Sequence, residues 1–355
     1  MGRRVPGKRP DTHIRFLLWT SGVSLLLLLL FLKNIPAEPV EGVKVLRPPY
    51  EVSALAIQGM KKSCDTVWAG GTDGLWAIDC ETLRPRDHIR CHPSLQNIKA
   101  LLVDDQNNLW IGHQGGLSVL RDGNFRHYTK KGKMLPDNRV NALLQDSKGA
   151  LWVGTQGGAV IVRNGIWKTL TKKDGLADSI VNVLYQDWEG GIWCGSAVSP
   201  NGGLSIKSDG EWQRFTTREG LPHCTVNSII SDGSGSVWVG TGLLESGDGG
   251  ACSFVRREGR WVLNRILTRK DGLAGTKVRS LFCDESGVLW YASDDSGIAL
   301  YRKGQWKCLT RSQGLSHDEA QAFLNDPSGR LWIATRDGIT VIEKEALSSL
   351  MPHGQ

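Results

Sequence analysis

The residues with the clearest chemical potential in this 355-residue chain are six aspartates: Asp104, Asp146, Asp187, Asp232, Asp284 and Asp326. Carboxylates can serve as general acids or bases or gather around calcium, and the stretches DGSGS (232–236) and SGDGG (246–250) look suited to the second task. Their spacing argues otherwise. Each aspartate stands six residues before a tryptophan: Trp110, Trp152, Trp193, Trp238, Trp290 and Trp332. A residue that returns at one place in six copies answers a local geometric demand, and aspartate caps the backbone amides of a turn. Calcium needs six or more converging oxygens, and no full calcium-binding loop pattern is present. His113, His223 and His317 would be needed for a three-histidine metal site, but they fall in different copies without local ligand spacing. We therefore expect no metal and no cofactor. No nucleophile motif, phosphate-binding loop or carboxylate pair stands out, because the 43 glycines follow the same period.

The elements that must position these residues are short strands. Trp68 extends the tryptophan series to seven, at intervals of 42, 42, 41, 45, 52 and 42 residues. Twelve residues before six of them stands an apolar residue (Ile98, Val140, Val181, Val226, Val278, Ala320) that opens a run such as VNALLQD. The run reads as an inner strand, the tryptophan strand returns beside it, a Gly-containing turn starts a third strand, and stretches such as IWKTLT and EWQRFT give a fourth. Four strands every 42 or so residues make one blade, and a blade cannot bury its faces alone. The chain is thus predicted to be all-β, a seven-bladed β-propeller of four-stranded antiparallel blades. Its first unit has a longer turn, with Gln58 where the aspartate should stand, and its seventh lacks a fourth strand. EGVKVLR (41–47) is expected to supply that strand and close the ring.

Departures from the repeat point to function. The loop between the second and third strands grows at Ser196–Gly203 and at Thr241–Gly250. Such loops and the blade-to-blade connections should surround the mouth of a central channel. There the sequence places His113, Arg139, His223, Glu245, Asp248, Asp294, Asp295, His317 and Arg336, a mixed set suited to a saccharide, a peptide or a small anionic ligand. Of the eight cysteines, Cys64 and Cys80 are the preferred disulfide pair, since folding the hairpin near Thr72 sets them opposite one another; Cys80 with Cys91 is the alternative. Cys194, Cys283 and Cys308 read as buried thiols in strands.

Residues 16–32 run without a charge, and 17 helical residues nearly span a hydrocarbon core of roughly 30 Å. They are preceded by Arg3, Arg4, Lys8, Arg9 and Arg15 and followed at once by Lys33 alone, which predicts a cytoplasmic N-terminus. An uncleaved signal anchor is preferred to a removed signal peptide, because no clean small-x-small cleavage site follows. Residues 1–35 carry six basic residues against Asp11, leaving +2 of the net +7 for the rest of the chain. That distribution argues against nucleic acid as a partner. The expected organisation is a basic tail (1–15), a transmembrane anchor (16–32), a linker (33–40), the propeller (41–343) and a C-terminal tail (344–355).

LPDNRVNALLQDSKGALWVGTQGGAVIV (135–162) and DGLADSIVNVLYQDWEGGIWCGS (174–196) resemble the two-component regulator propeller repeat, and the resemblance extends over about residues 41–343. It implies the extracytoplasmic sensing part of a hybrid histidine kinase, although no kinase region, phospho-acceptor helix or receiver accompanies it here. The expectation is a non-catalytic propeller on the outer side of the inner membrane, in the periplasm or outside the cell. It would bind a ligand or a protein partner and feed a separate signalling protein. The alternatives are a propeller enzyme that resembles streptogramin lyase, using His223 and Glu245, and an envelope scaffold.

Overall fold

The computed structural model describes residues 41–48, 51–59, 64–89, 95–197, 202–243 and 247–350. The expected anchor (16–32) and its flanking segments lie outside them, as do Glu245 and Cys91. Among the described residues no helix is long and apolar enough to cross a membrane.

The described residues form 28 strands in seven four-stranded antiparallel sheets. The third blade sets the pattern, with an inner strand Val140–Gln145, then Leu151–Thr155, Gly158–Arg163 and an outer strand Ile166–Leu170. Its second strand is buried along its whole length. Alternate residues serve different neighbours: Trp152 joins a cluster with Val181 and Leu184 of the fourth blade, whereas Leu151 and Val153 join Leu117 of the second. This strand is consequently apolar on both faces, which explains the unbroken run LWVGT. Seven such clusters are formed among the described residues, each bridging two adjacent blades.

Each aspartate noted in the sequence holds its turn and its tryptophan together. In the third blade Asp146 Oδ1 accepts the amides of Lys148 (3.0 Å) and Ala150 (2.9 Å), while Oδ2 accepts the Trp152 indole N–H at 2.9 Å. The same clasp joins Asp104 to Trp110, Asp187 to Trp193, Asp232 to Trp238, Asp284 to Trp290 and Asp326 to Trp332. In the first blade Gln58 Oε1 takes the Trp68 indole at 2.8 Å. A large apolar ring can then be buried without leaving its one polar atom unpaired. Burial alone would raise the pKa of Asp146, but the hydrogen bonds from Trp152, Ala150 and Lys148 outweigh it, and the net shift is downward.

The residue two places after the tryptophan is small because the blades converge toward the axis. A Cβ on Gly154 would lie 2.9 Å from Val181 Cγ1, and one on Gly195 would lie 2.5 Å from Val226 Cγ1. Closure follows the expected route: Val43–Leu46 pairs antiparallel with Gly338–Ile342, Val43 opposite Ile342 and Leu46 opposite Ile339. The segment expected to be a plain C-terminal tail instead begins with a helix, Lys344–Leu350, whose Ala346 and Leu350 pack into the cluster between the sixth and seventh blades. Cys64 and Cys80 are joined by a disulfide with Cα atoms 5.8 Å apart. Cys194 is buried, and burial pushes its thiol up to about 12; Cys283 is half-buried, and Cys308 is exposed on an outer strand, contrary to the expected buried thiol.

Asp146→Asn tests the clasp. One end of the amide is an N–H₂ group, so it confronts either the indole N–H or the turn amides with a second donor. We expect a loss of about 2 kcal/mol in the unfolding free energy. The exposed neighbour Lys148→Gln should change stability by less than about 0.5 kcal/mol in the same denaturant titration.

Candidate functional site

The inner strands surround a cavity of about 480 Å³ at the centre of the ring, to which all seven blades contribute. One position in each blade dominates its wall: Ser53, Lys99, Asn141, Asn182, Asn227, Arg279 and Gln321. In six blades this residue sits where the pairing register skips, as between Val140 and Ala142 or between Val226 and Ser228. A bulged residue leaves the alternation of its strand, so its side chain is not committed to either interblade core.

Four of these side chains reach across to the next blade. Ser53 Oγ donates to Ile98 O (2.9 Å), Asn141 Nδ2 to Val181 O (3.2 Å), Asn182 Nδ2 to Val226 O (2.9 Å) and Asn227 Nδ2 to Val278 O (3.2 Å). Each acceptor is the carbonyl of the residue just before the next blade's wall position. The arc from the sixth blade to the first is charged instead. Lys277 Nζ meets Asp294 Oδ2 at 2.6 Å, Arg279 Nε meets Asp294 Oδ1 at 3.2 Å, and Arg279 also pairs with Glu319. Arg336 Nη1 stands 3.7 Å from Glu319 Oε2, and Gln321 donates to Glu51. Lys99 borders this arc from the second blade. Crowding by the channel wall lowers its pKa, with Arg279 and Lys277 acting in the same direction and Glu51 and Glu319 opposing.

None of the eight described loop residues nominated from the sequence lines the cavity. His113 is 1% exposed. Its Nδ1 accepts the Gly115 amide at 3.1 Å and its Nε2 lies 2.7 Å from Ser118 Oγ, which in turn lies 2.6 Å from His127 Nδ1. It closes the turn that Thr155 closes in the third blade, where Thr155 Oγ1 accepts from Gly157 N and donates to Gly158 O. His223 Nδ1 accepts the Thr225 amide (2.9 Å) and His317 Nδ1 accepts the Glu319 amide (2.9 Å). Asp137 and Asp178 cap the corresponding amides in the third and fourth blades. Both histidines are thus turn caps whose remaining N–H is on Nε2. Asp248 acts electrostatically on His223, Arg139 pairs with Asp137, and Asp295 accepts from Ser296. Asp294 and Arg336 belong to the charged arc through Lys277, Arg279 and Glu319. Among the described residues, no group of three His, Cys, Asp or Glu side chains could hold a metal ion.

The cavity position was visible in the sequence as a register. It stands 11 residues before the tryptophan in six of the seven copies, and it is polar in all seven. A second missed signal is the capping box Thr-x-x-Asp/Glu/Gln that ends the outer strand, as at Thr171–Asp174 and Thr216–Glu219. It turns the chain through one 3₁₀ turn and places Leu176 or Leu221 in the core before the next inner strand begins.

The capping role of His223 carries a pH dependence. Burial lowers its folded pKa, with Asp248 opposing. The unfolded state therefore takes up the proton first, and stability present above about pH 6.5 is lost as pH falls through the folded pKa. His223→Asn keeps an acceptor for the Thr225 amide without titrating there. We expect wild type and variant to match within about 0.5 kcal/mol at pH 8 and wild type to fall behind between about pH 6.5 and 5, measured by denaturant unfolding.

A family model described as the two component regulator propeller matches residues 134–157, 220–242 and 314–337, which fall in the third, fifth and seventh blades. No curated protein matches the chain. Two solved extracellular domains of hybrid two component systems from B. thetaiotaomicron are similar in fold. One has 19% identity and a TM-score of 0.68 over 85% of this chain and 42% of its own length; the other has 16% and 0.67 over 85% and 40%. The chain thus spans less than half of those domains. Virginiamycin B lyase from Staphylococcus aureus, solved with quinupristin, is similar at 11% identity and a TM-score of 0.65, over 85% of this chain and 98% of the lyase. At these identities the likenesses show the fold. The repeat model thus matches three of the seven blades, and the Asp–Trp clasp that marks those three recurs in six.

Proposed function

We propose that the chain is a non-catalytic recognition module, anchored in the inner membrane by residues 16–32, whose propeller binds a ligand outside the cytoplasm and passes the signal to a separate protein. The observation that carries this reading is the cavity wall. Its polar groups form a ring of side chains from seven blades that converge on one concave space, as the orienting groups of a small-molecule site do. The ionisable groups around it are mostly committed to one another: Arg279 to Asp294 and Glu319, and Lys277 to Asp294. Groups so paired position a ligand rather than transfer protons. The hydroxyl of Ser53 donates to a backbone carbonyl, and the Nδ1 atom of His223 is occupied by a backbone amide.

Two further observations support the location. The Cys64–Cys80 disulfide suits an oxidising compartment. The B. thetaiotaomicron neighbours are described as extracellular domains of two component systems. A ligand and a partner protein are both compatible with the ring, and the cavity volume favours the small molecule.

Topology can be checked on the full chain in a Gram-negative host. We expect it to stay with alkali-washed membranes and its propeller to be cleaved by protease added to spheroplasts. Resistance to protease until the inner membrane is permeabilised would place the propeller in the cytoplasm and overturn the proposal. The bridge closes a 16-residue separation. Its reduction should lower stability by about 3 kcal/mol, read as a lower thermal midpoint in dithiothreitol than without it.

A further inference from the structure

The orientation of three asparagines and the isolation of one lysine restrict what the cavity can hold. Asn141, Asn182 and Asn227 each point their side-chain nitrogen at a backbone carbonyl of the next blade. A carbonyl cannot accept from an oxygen without a proton, so the amide orientation is fixed by chemistry. Among the described residues each Oδ1 is left without a protein donor, and the three form a continuous arc of acceptors over the third to fifth blades, on the wall of the cavity. Across the ring, Lys277, Arg279 and Arg336 are matched by Asp294 and Glu319. Lys99 makes no ion pair among the described residues, and Glu51, the carboxylate that acts on it most strongly, is taken by the Gln321 amide.

We propose that the cavity selects a small carboxylate that also carries hydrogen-bond donors, hydroxyl or ammonium, with Lys99 receiving the carboxylate and the oxygens of Asn141, Asn182 and Asn227 receiving the donors. The inference rests on the channel being the ligand site. A neutral polyol would satisfy the acceptors but leave the lysine cation desolvated and unpaired. A plain alkyl carboxylate would pair with Lys99 but bury three acceptor oxygens against methylene groups. A molecule with both features pays neither cost. The volume of about 480 Å³ lies within the range of small-molecule sites.

The test is calorimetric titration of the full chain in detergent with lactate, tartrate, gluconate and glutamate, and with sorbitol and hexanoate as single-feature controls. At least one of the first four should bind at least tenfold more tightly than either control, and its affinity should fall as salt is raised. Lys99→Gln, which removes a side chain with no ion-pair partner, should weaken that binding at least tenfold while leaving the thermal midpoint unchanged. Ser53→Trp, whose indole would take the part of the cavity beside Lys99, should weaken it at least tenfold; the unfolding midpoint of this variant is measured alongside. Sorbitol binding as tight as that of any carboxylate, binding insensitive to Lys99→Gln, or no binding by any of the four acids overturns the ligand class. Affinity unchanged by both Ser53→Trp and Lys99→Gln in folded proteins places the site elsewhere and overturns the channel reading itself.

Discussion

The structure depends on a single shared carboxylate in each turn. Burying tryptophan between blades is strongly favoured by apolar area, but the indole N–H must find an acceptor where no water enters. Trp193, Trp290 and Trp332 are 0% exposed, and in each case the acceptor is the second oxygen of an aspartate whose first oxygen already closes the turn. One residue thus fixes the hairpin register and permits the interblade wedge. Without it the tryptophan strand could pair one residue out of step, which would exchange the faces that meet the two neighbouring blades. The first blade shows that the requirement is for an acceptor rather than for aspartate, since Gln58 supplies one from a differently shaped turn.

Much of this was legible because the constraint is local and repeats. The spacing from Asp146 to Trp152 is the length of one tight turn, and its recurrence gave blade number, strand order and sheet direction together. Closure was legible for a related reason: a seventh sheet with three strands leaves an edge of unpaired backbone groups, and Val43–Leu46 has a strand-like alternation with no other place to pair. The helix at Lys344–Leu350 was missed because seven residues are too few for a helical period to stand out, and its burial depends on a cleft between two blades that only the closed ring creates.

The wall of the channel was less legible than the fold, for a physical reason. His113, His223 and His317 broke the repeat in residue type, so they looked functional. In the structure each supplies a ring nitrogen to the backbone amide that a threonine or an aspartate meets in other blades. Chemical type changed while the hydrogen-bonding task stayed the same. Ser53, Lys99, Asn141, Asn182, Asn227, Arg279 and Gln321 had the opposite character: they kept one place in the register and varied in chemistry. Simple alternation along an inner strand would point them between the blades, and the bulge that frees six of the seven is a backbone feature with no side-chain signature of its own.

That bulge also reconciles stability with recognition. In most of the strand set, changing a residue disturbs a core shared by two blades, because both faces are buried. At the bulged position the side chain meets the channel and one carbonyl of the next blade, so its chemistry can change while the cores stay as they are. Asparagine keeps the interblade hydrogen bond and turns an acceptor inward; arginine and glutamine exchange that bond for pairing with Glu319, Asp294 or Glu51; lysine makes neither. A propeller of this kind can thus hold its shape through the Asp–Trp turns and carry its specificity in one residue per blade. The fold by itself names no ligand, since proteins of similar fold include both extracellular domains of two component systems and a lyase.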